Sequence, residues 1–151
     1  MKALFNELFE YNRHMNNELI RAMVQNKATV SEKSLKWINH ILNAHELYNC
    51  RMEPAGYTPP GSWDMRPLEE LVAINENNFQ VTLGIIRLYD FDTNILYTTL
   101  KGSAMENTVG DILFHVVNHS TYHRGQIAVE FRNSGLEPLV GDYVFYKRKL
   151  N

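Results

Sequence analysis

Asp111-Ile-Leu-Phe-His115-Val-Val-Asn-His119-Ser-Thr-Tyr-His123-Arg-Gly-Gln126 is the segment around which the rest of the chain is organised. Its histidines recur at a strict interval of four residues, 115, 119 and 123. A helix turns about 100° per residue, so such residues stack along one side. On that wheel Ile112, Val116, His119, His123, Gln126, Ile127 and Glu130 share a sector of about 100°. His119 and His123 therefore point where the apolar residues point, into a core, and His115 stands nearer the sector's edge. An i,i+4 pair of imidazoles can reach one ion from consecutive turns. Without an ion, each would need a hydrogen-bond partner on a neighbouring helix, because burying it unpaired is costly.

This fourth helix starts at Thr108, whose hydroxyl and Asp111 three residues on fit a capping box. It runs to Asn133-Ser134, with Gly135 as the residue that ends it and Pro138 beyond. Before it, residues 95–100 have strand-forming composition and 101–103 suit a turn, which predicts a small hairpin or extended connection. The first helix spans about Ala3 to Asn26 on the stripe Leu4, Phe5, Leu8, Phe9, Met15, Leu19, Ile20 and Met23, interrupted by Asn12, His14 and Asn16. Thr29 with Glu32 fits a capping box for the second helix, with Ser31 as an alternative cap. Its stripe is Leu35, Trp37, Ile38, Ile41, Leu42, Leu47 and Tyr48, and Pro54 ends it. The short link between the two predicts antiparallel neighbours. Residues 53–66, rich in proline and glycine, are a loop long enough to let helices two and three run the same way. Pro67 is expected at the first position of the third helix, which ends near Tyr89–Asp92. The tail, 140–149, is expected to pack back across the bundle.

The chain has 151 residues, 44% of them hydrophobic and 21% charged. That is the size and composition of one soluble globular domain, taken here as residues 1–151. Net charge is -2, so no bulk positive surface points to nucleic acid. Cys50 is the single cysteine, which excludes an intramolecular disulfide. No signal peptide and no run of the roughly 18 apolar residues needed to span a bilayer is seen. These features predict a cytoplasmic protein with no membrane partner.

A third ligand must come from another helix. His40 and His45 on the second helix lie about 140° apart around its axis and are poorly placed to serve one ion together. His40 shares a face with Trp37, Ala44 and Tyr48, and small Ala44 would leave room for an ion. His45 lies nearer Ile38, Ile41 and Leu42. Geometry leans to His40 and leaves the choice open.

At this point the sequence resembles a family. The 111–126 stretch resembles the signature of the DinB-like (damage-inducible) family of metal-dependent proteins. Asn39-His40-Ile41-Leu42-Asn43-Ala44, followed by Arg51, resembles that family's second-helix motif, and Tyr97, Gly102 and Asp142-Tyr143 fit its pattern. The resemblance implies an all-α four-helix bundle in up-down-down-up order. It also implies one divalent metal, zinc or nickel, held by His40, His119 and His123. Tyr48 stands where many relatives have tryptophan. His45, His115, Gln126 and Glu130 are candidates to orient ligands or a bound water.

Three neutral imidazoles leave a divalent ion an open position, the arrangement of a catalytic site. Some members of the family are thiol S-transferases or isomerases. The resemblance thus implies attack on a small-molecule electrophile by a low-molecular-weight thiol. Metal-dependent hydrolysis and a non-enzymatic metal-binding stress-response role are the alternatives. A homodimer is expected, as is common among four-helix proteins. Other signals are weaker. Asp90-Phe-Asp92-Thr-Asn94 imitates a calcium loop but lacks the glycine and the final glutamate. Asn118-His-Ser120 matches a glycosylation acceptor but falls inside a helix. Cys50 reads as a helix-face residue, and His14 as a surface or packing residue.

Overall fold

The computed structural model describes residues 1–54, 56, 58–99 and 102–148. Four long helices carry most of the chain: α1 (Lys2–Gln25), α2 (Glu32–Met52), α3 (Leu71–Leu88) and α4 (Val109–Asn133). A two-stranded antiparallel sheet, β1 (Asn94–Thr98) and β2 (Ala104–Thr108), precedes α4, and one short helix, α5 (Tyr143–Tyr146), follows it. No helix among the described residues is long and apolar enough to cross a membrane.

Helix α1 packs along α3 and α4, and α2 packs along α4 and α3. Side-chain pairings give the directions. Arg13 meets Glu76 at 3.0 Å, Lys2 donates to the Arg87 carbonyl at 2.9 Å and Lys27 pairs with Glu69, so α1 and α3 run oppositely. Asn78 donates to the Leu42 carbonyl at 3.0 Å, and Thr82 to Asn49 at 3.0 Å, so α2 and α3 run together. Trp37 lies on His123 and Tyr48 on His115, so α2 and α4 run oppositely. The expected side-by-side pairing of α1 with α2 is corrected: their principal neighbours are α3 and α4. The 53–66 loop frees α2 from a hairpin with α3, so packing decides the order, not chain connection.

The interior has three levels. One apolar cluster is built on Phe5, Phe9, Phe79, Ile85, Ile112 and Leu113. The other is built on Leu19, Ile20, Ile38, Leu42, Ile127 and Phe131. Between them the helices bury polar side chains: Asn12, Asn16, Asn43, Asn49, Asn75, Asn78, His45 and Thr82. Each carboxamide has two donors and an acceptor, so it can bridge helices while staying satisfied. Asn75 donates to Asn17 Oδ1 at 2.9 Å and to the Arg13 carbonyl at 3.0 Å, and accepts from Asn16 at 3.2 Å. The asparagines at 12 and 16, which break the α1 stripe in the sequence, are core residues.

Caps set the boundaries. The Thr108–Asp111 capping box is present, each bond 3.1 Å. β2 ends on that cap, so the hairpin delivers α4 in a fixed position. Gly135, at φ +73°, adopts the left-handed conformation that a side chain would resist. It lets Leu136 donate to the Phe131 carbonyl at 2.8 Å and closes the last turn of α4. Two starts differ from expectation. Ser31, not Thr29, caps α2, accepting from the Ser34 amide at 3.1 Å. The amides of Thr29 and Val30 both bond to the Asn26 carbonyl, so the backbone is still turning there. Pro67 holds an extended conformation before a 3₁₀ turn at Leu68–Glu70, and α3 proper begins at Leu71.

The expected hairpin is present from Asn94 to Thr108, with Leu100 and Lys101 outside the described residues. The tail folds back on α1: Tyr143 donates to Glu7 at 2.9 Å, Tyr11 to the Gly141 carbonyl, and Lys147 pairs with Glu7. Lys149, placed in that tail from the sequence, lies outside the described residues.

Replacing Ser31 by alanine removes a used cap and should cost about 0.5–2 kcal/mol, whereas Thr29→Ala should leave stability within about 0.5 kcal/mol. Urea unfolding of the two variants checks this.

Candidate metal centre

His40 sits mid-way along α2, and His119 and His123 lie on consecutive turns of α4, the helix packed against it. The three imidazoles converge. His119 Nε2 lies 3.1 Å from His40 Nε2 and 3.0 Å from His123 Nε2, and the three candidate ligand atoms lie within 4.8 Å of one another. His123 is buried; His40 and His119 are half-buried.

Partners on the far ring nitrogens set the tautomers. His40 Nδ1–H donates to the Ser62 carbonyl at 2.8 Å, and His123 Nδ1–H to Gln126 Oε1 at 2.6 Å. A carbonyl oxygen can only accept, so both rings carry their proton on Nδ1 and turn an Nε2 lone pair inward. His119 has at most one Nε2–H to offer two such neighbours. A cation resolves this crowding of lone pairs. Tetrahedral Zn–N bonds of about 2.0–2.1 Å would set ligand nitrogens about 3.3–3.4 Å apart, a few tenths from the two spacings that His119 makes with His40 and His123. The donor set fits a divalent ion.

Electrostatics agree. Burial, then His123, His40 and His115, push the His119 pKa down to about 3. Burial also lowers His40, against a smaller upward pull from the Ser62 carbonyl. His40 and His119 are therefore held neutral, the form a metal needs.

Two tryptophans wall the triad. Trp63 stacks on His40 with centroids 4.0 Å apart and planes 7° from parallel, and Trp37 stacks on His123 at 4.5 Å and 21°. Trp63 belongs to the 53–66 loop, which α2 holds by its polar face. Asn43 Nδ2 donates to the carbonyls of Gly61 (3.0 Å) and Asp64 (2.9 Å), and Asn39 Oδ1 accepts from the Arg66 amide (2.9 Å). Glu46 takes the Arg66 guanidinium at 2.7 Å. Sequence reasoning missed Ser62 and Trp63. The signal the sequence did carry was the polar row Asn39, Asn43, Glu46 at helical spacing, which needs a covering segment.

The other candidates fall in different places. Gln126 touches His123 as described. His115 lies beside His119 (5.4 Å between centroids) and Tyr48 (4.8 Å), with its Nε2 and Nδ1 outside the convergent triad. His45 turns to α3: its Nε2 meets Thr82 Oγ1 at 2.8 Å, and its Nδ1 has no hydrogen-bond partner among the described residues. Glu130 pairs with Lys33 at 2.7 Å.

A family model described as the DinB family matches residues 1–150. The chain belongs to the DinB family. Protein DinB of Bacillus subtilis (strain 168) is 48% identical over 42 residues, 28% of this chain. The chain thus aligns with only 24% of that relative's length. No solved structure matches. This DinB-family chain accordingly presents a histidine triad that could hold a metal ion, in a family generally associated with metals.

Two outcomes follow. Gln126→Leu frees the His123 ring and should weaken metal affinity about 10–100-fold, read by competition with a chromophoric chelator. His45, buried, has its pKa pushed from 6.5 down to about 3. The unfolded chain therefore takes up a proton there below about pH 6.5 and the folded chain does not, so stability falls as pH drops towards 3. The slope from this one group reaches at most about 1.4 kcal/mol per pH unit. Unfolding curves at pH 7, 6 and 5 should flatten in His45→Gln relative to the parent.

Proposed function

We propose that this protein is a metal-dependent enzyme in which His40, His119 and His123 hold one divalent ion, zinc or nickel, and a low-molecular-weight thiol attacks a small-molecule electrophile. The observation that carries it is the convergence of three imidazole Nε2 atoms, two with tautomers fixed by Ser62 and Gln126. Among the described residues the cluster holds no fourth histidine, cysteine or carboxylate. His45 and Glu130, which might have closed it, are engaged with Thr82 and Lys33. That openness favours catalysis over storage.

An ion so placed lowers the pKa of a thiol or water at its open position. The chain's own residues do the rest. Ser62 and Gln126 orient two ligands. Trp37 and Trp63 give the ligands an apolar flank that limits water and keeps the rings from turning. Water in place of the thiol would make the same site a hydrolase, and product analysis separates the two.

The architecture supports an up-down-down-up four-helix bundle: α1 opposes α3, α3 runs with α2, and α2 opposes α4. Phe114, Tyr122 and Val129 are exposed along one outer face of α4 and support a homodimer through it. We propose a cytoplasmic location; no helix among the described residues is long and apolar enough to cross a membrane.

Elemental analysis of purified protein should give about one zinc or nickel per chain, as for a single three-histidine site. Conjugation of a small thiol to an electrophilic acceptor should be lost on exhaustive chelation, return with added metal, and be absent in His119→Ala. Activity that survives both treatments refutes the reading.

A further inference from the structure

A second site lies on the other side of α4. Between α1, α4 and the returning tail is a cavity of about 250 Å³, walled by Met15, Leu19, Ala128, Phe131 and Leu139. Arg124 lines it too. This guanidinium donates through Nη1 to Asn12 Oδ1 (2.6 Å) and Asn16 Oδ1 (2.9 Å), and through Nη2 to Thr121 Oγ1 (2.9 Å). Every one of those acceptors is neutral. Among the described residues no carboxylate forms an ion pair with Arg124.

A guanidinium offers five N–H bonds. Three are taken by those acceptors, and the Tyr11 hydroxyl is a further neutral partner; no carbonyl, amide or carboxylate oxygen of the described residues meets Nε–H or the second Nη2–H. These two share the edge that grips a carboxylate by parallel hydrogen bonds. The Tyr11 ring lies 5.3 Å from the guanidinium carbon; its hydroxyl donates to the Gly141 carbonyl, which ties the tail down as a roof, and its oxygen is a neutral partner of Arg124 that pulls the Arg124 pKa up against burial. Burial lowers the Arg124 pKa, as expected for a cation desolvated without a counter-charge.

We propose that this cavity binds a small amphipathic monocarboxylate, its carboxylate on the Nε/Nη2 edge of Arg124 beside the Tyr11 hydroxyl and its hydrocarbon tail against Met15, Leu19 and Phe131. Size supports this. A dry cavity of about 150 Å³ accommodates benzene, so the present one admits a chain of several carbons more. Asp142 also lines the cavity and disfavours polyanions such as phosphate esters more than a single carboxylate. The site shares no lining residue with the histidine triad and does not rest on its metal.

The test is calorimetric titration of the full chain with octanoate and with 1-octanol, whose tail matches but which carries no charge. Octanoate should bind one per chain, and octanol about tenfold or more weakly, the difference a charge-assisted hydrogen bond makes. Arg124→Gln should bring the two ligands together. Because that change also disturbs Asn12 and Asn16, a second variant is needed. Gly125 lines the cavity, and a Cβ built there meets nothing within 4 Å. Gly125→Leu should therefore fold, fill the space and abolish octanoate binding. Absence of octanoate binding by the parent, equal affinity for octanoate and octanol, or binding undiminished in Gly125→Leu each overturns the proposal.

Discussion

Buried carboxamides must find partners, and that one requirement organises the molecule. A belt of asparagines crosses the helices between two apolar clusters. A hydrophobic contact tolerates sliding by a turn, but a carboxamide bonded across a helix interface does not. Asn75 reaches both Asn16 and Asn17 of α1, and Asn78 reaches α2. Sliding α3 by one turn would strand several donors in an apolar interior, each at about 1–3 kcal/mol. The belt thus sets the axial register of the helices, and with it the level at which His40 meets His119 and His123.

The triad inherits its precision from the same source. The asparagines of α2 face two ways: Asn49 turns inward to the Asn78 carbonyl, while Asn39 and Asn43 hold the 53–66 loop. That loop contributes the Ser62 carbonyl and the Trp63 ring, which together fix His40 by edge and by face. On α4 the partner of His123 comes from Gln126, one turn along. One ligand is thus steadied by a loop and another by its own helix, so the triad does not depend on a single flexible element.

Much of this was legible in the sequence. The four helices, the Thr108–Asp111 cap, the Gly135 stop and the hairpin all follow from local chemistry that acts within a few residues. The inward pair His119 and His123 was legible in the four-residue histidine interval; small Ala44 only leaned the third ligand towards His40, which the family resemblance implied. Local patterns do not say which helices become neighbours, so the α1–α2 pairing was misread. They do not say which of two equally spaced hydroxyls is used, so Thr29 was preferred to Ser31. The asparagines read as breaks in a stripe because a lone polar residue looks the same whether it faces water or a partner on a neighbouring helix. Trp63 was invisible for a similar reason: its place depends on loop anchors supplied by α2.

The chain contains two tryptophans, and both stack on members of the triad. Light absorbed selectively by indole is therefore absorbed only at the ligands. The protein's tryptophan emission is in effect a local optical probe of His40 and His123, silent about the rest of the bundle. Occupancy of the site can be followed in the unlabelled molecule, without a reporter group and without knowing the substrate.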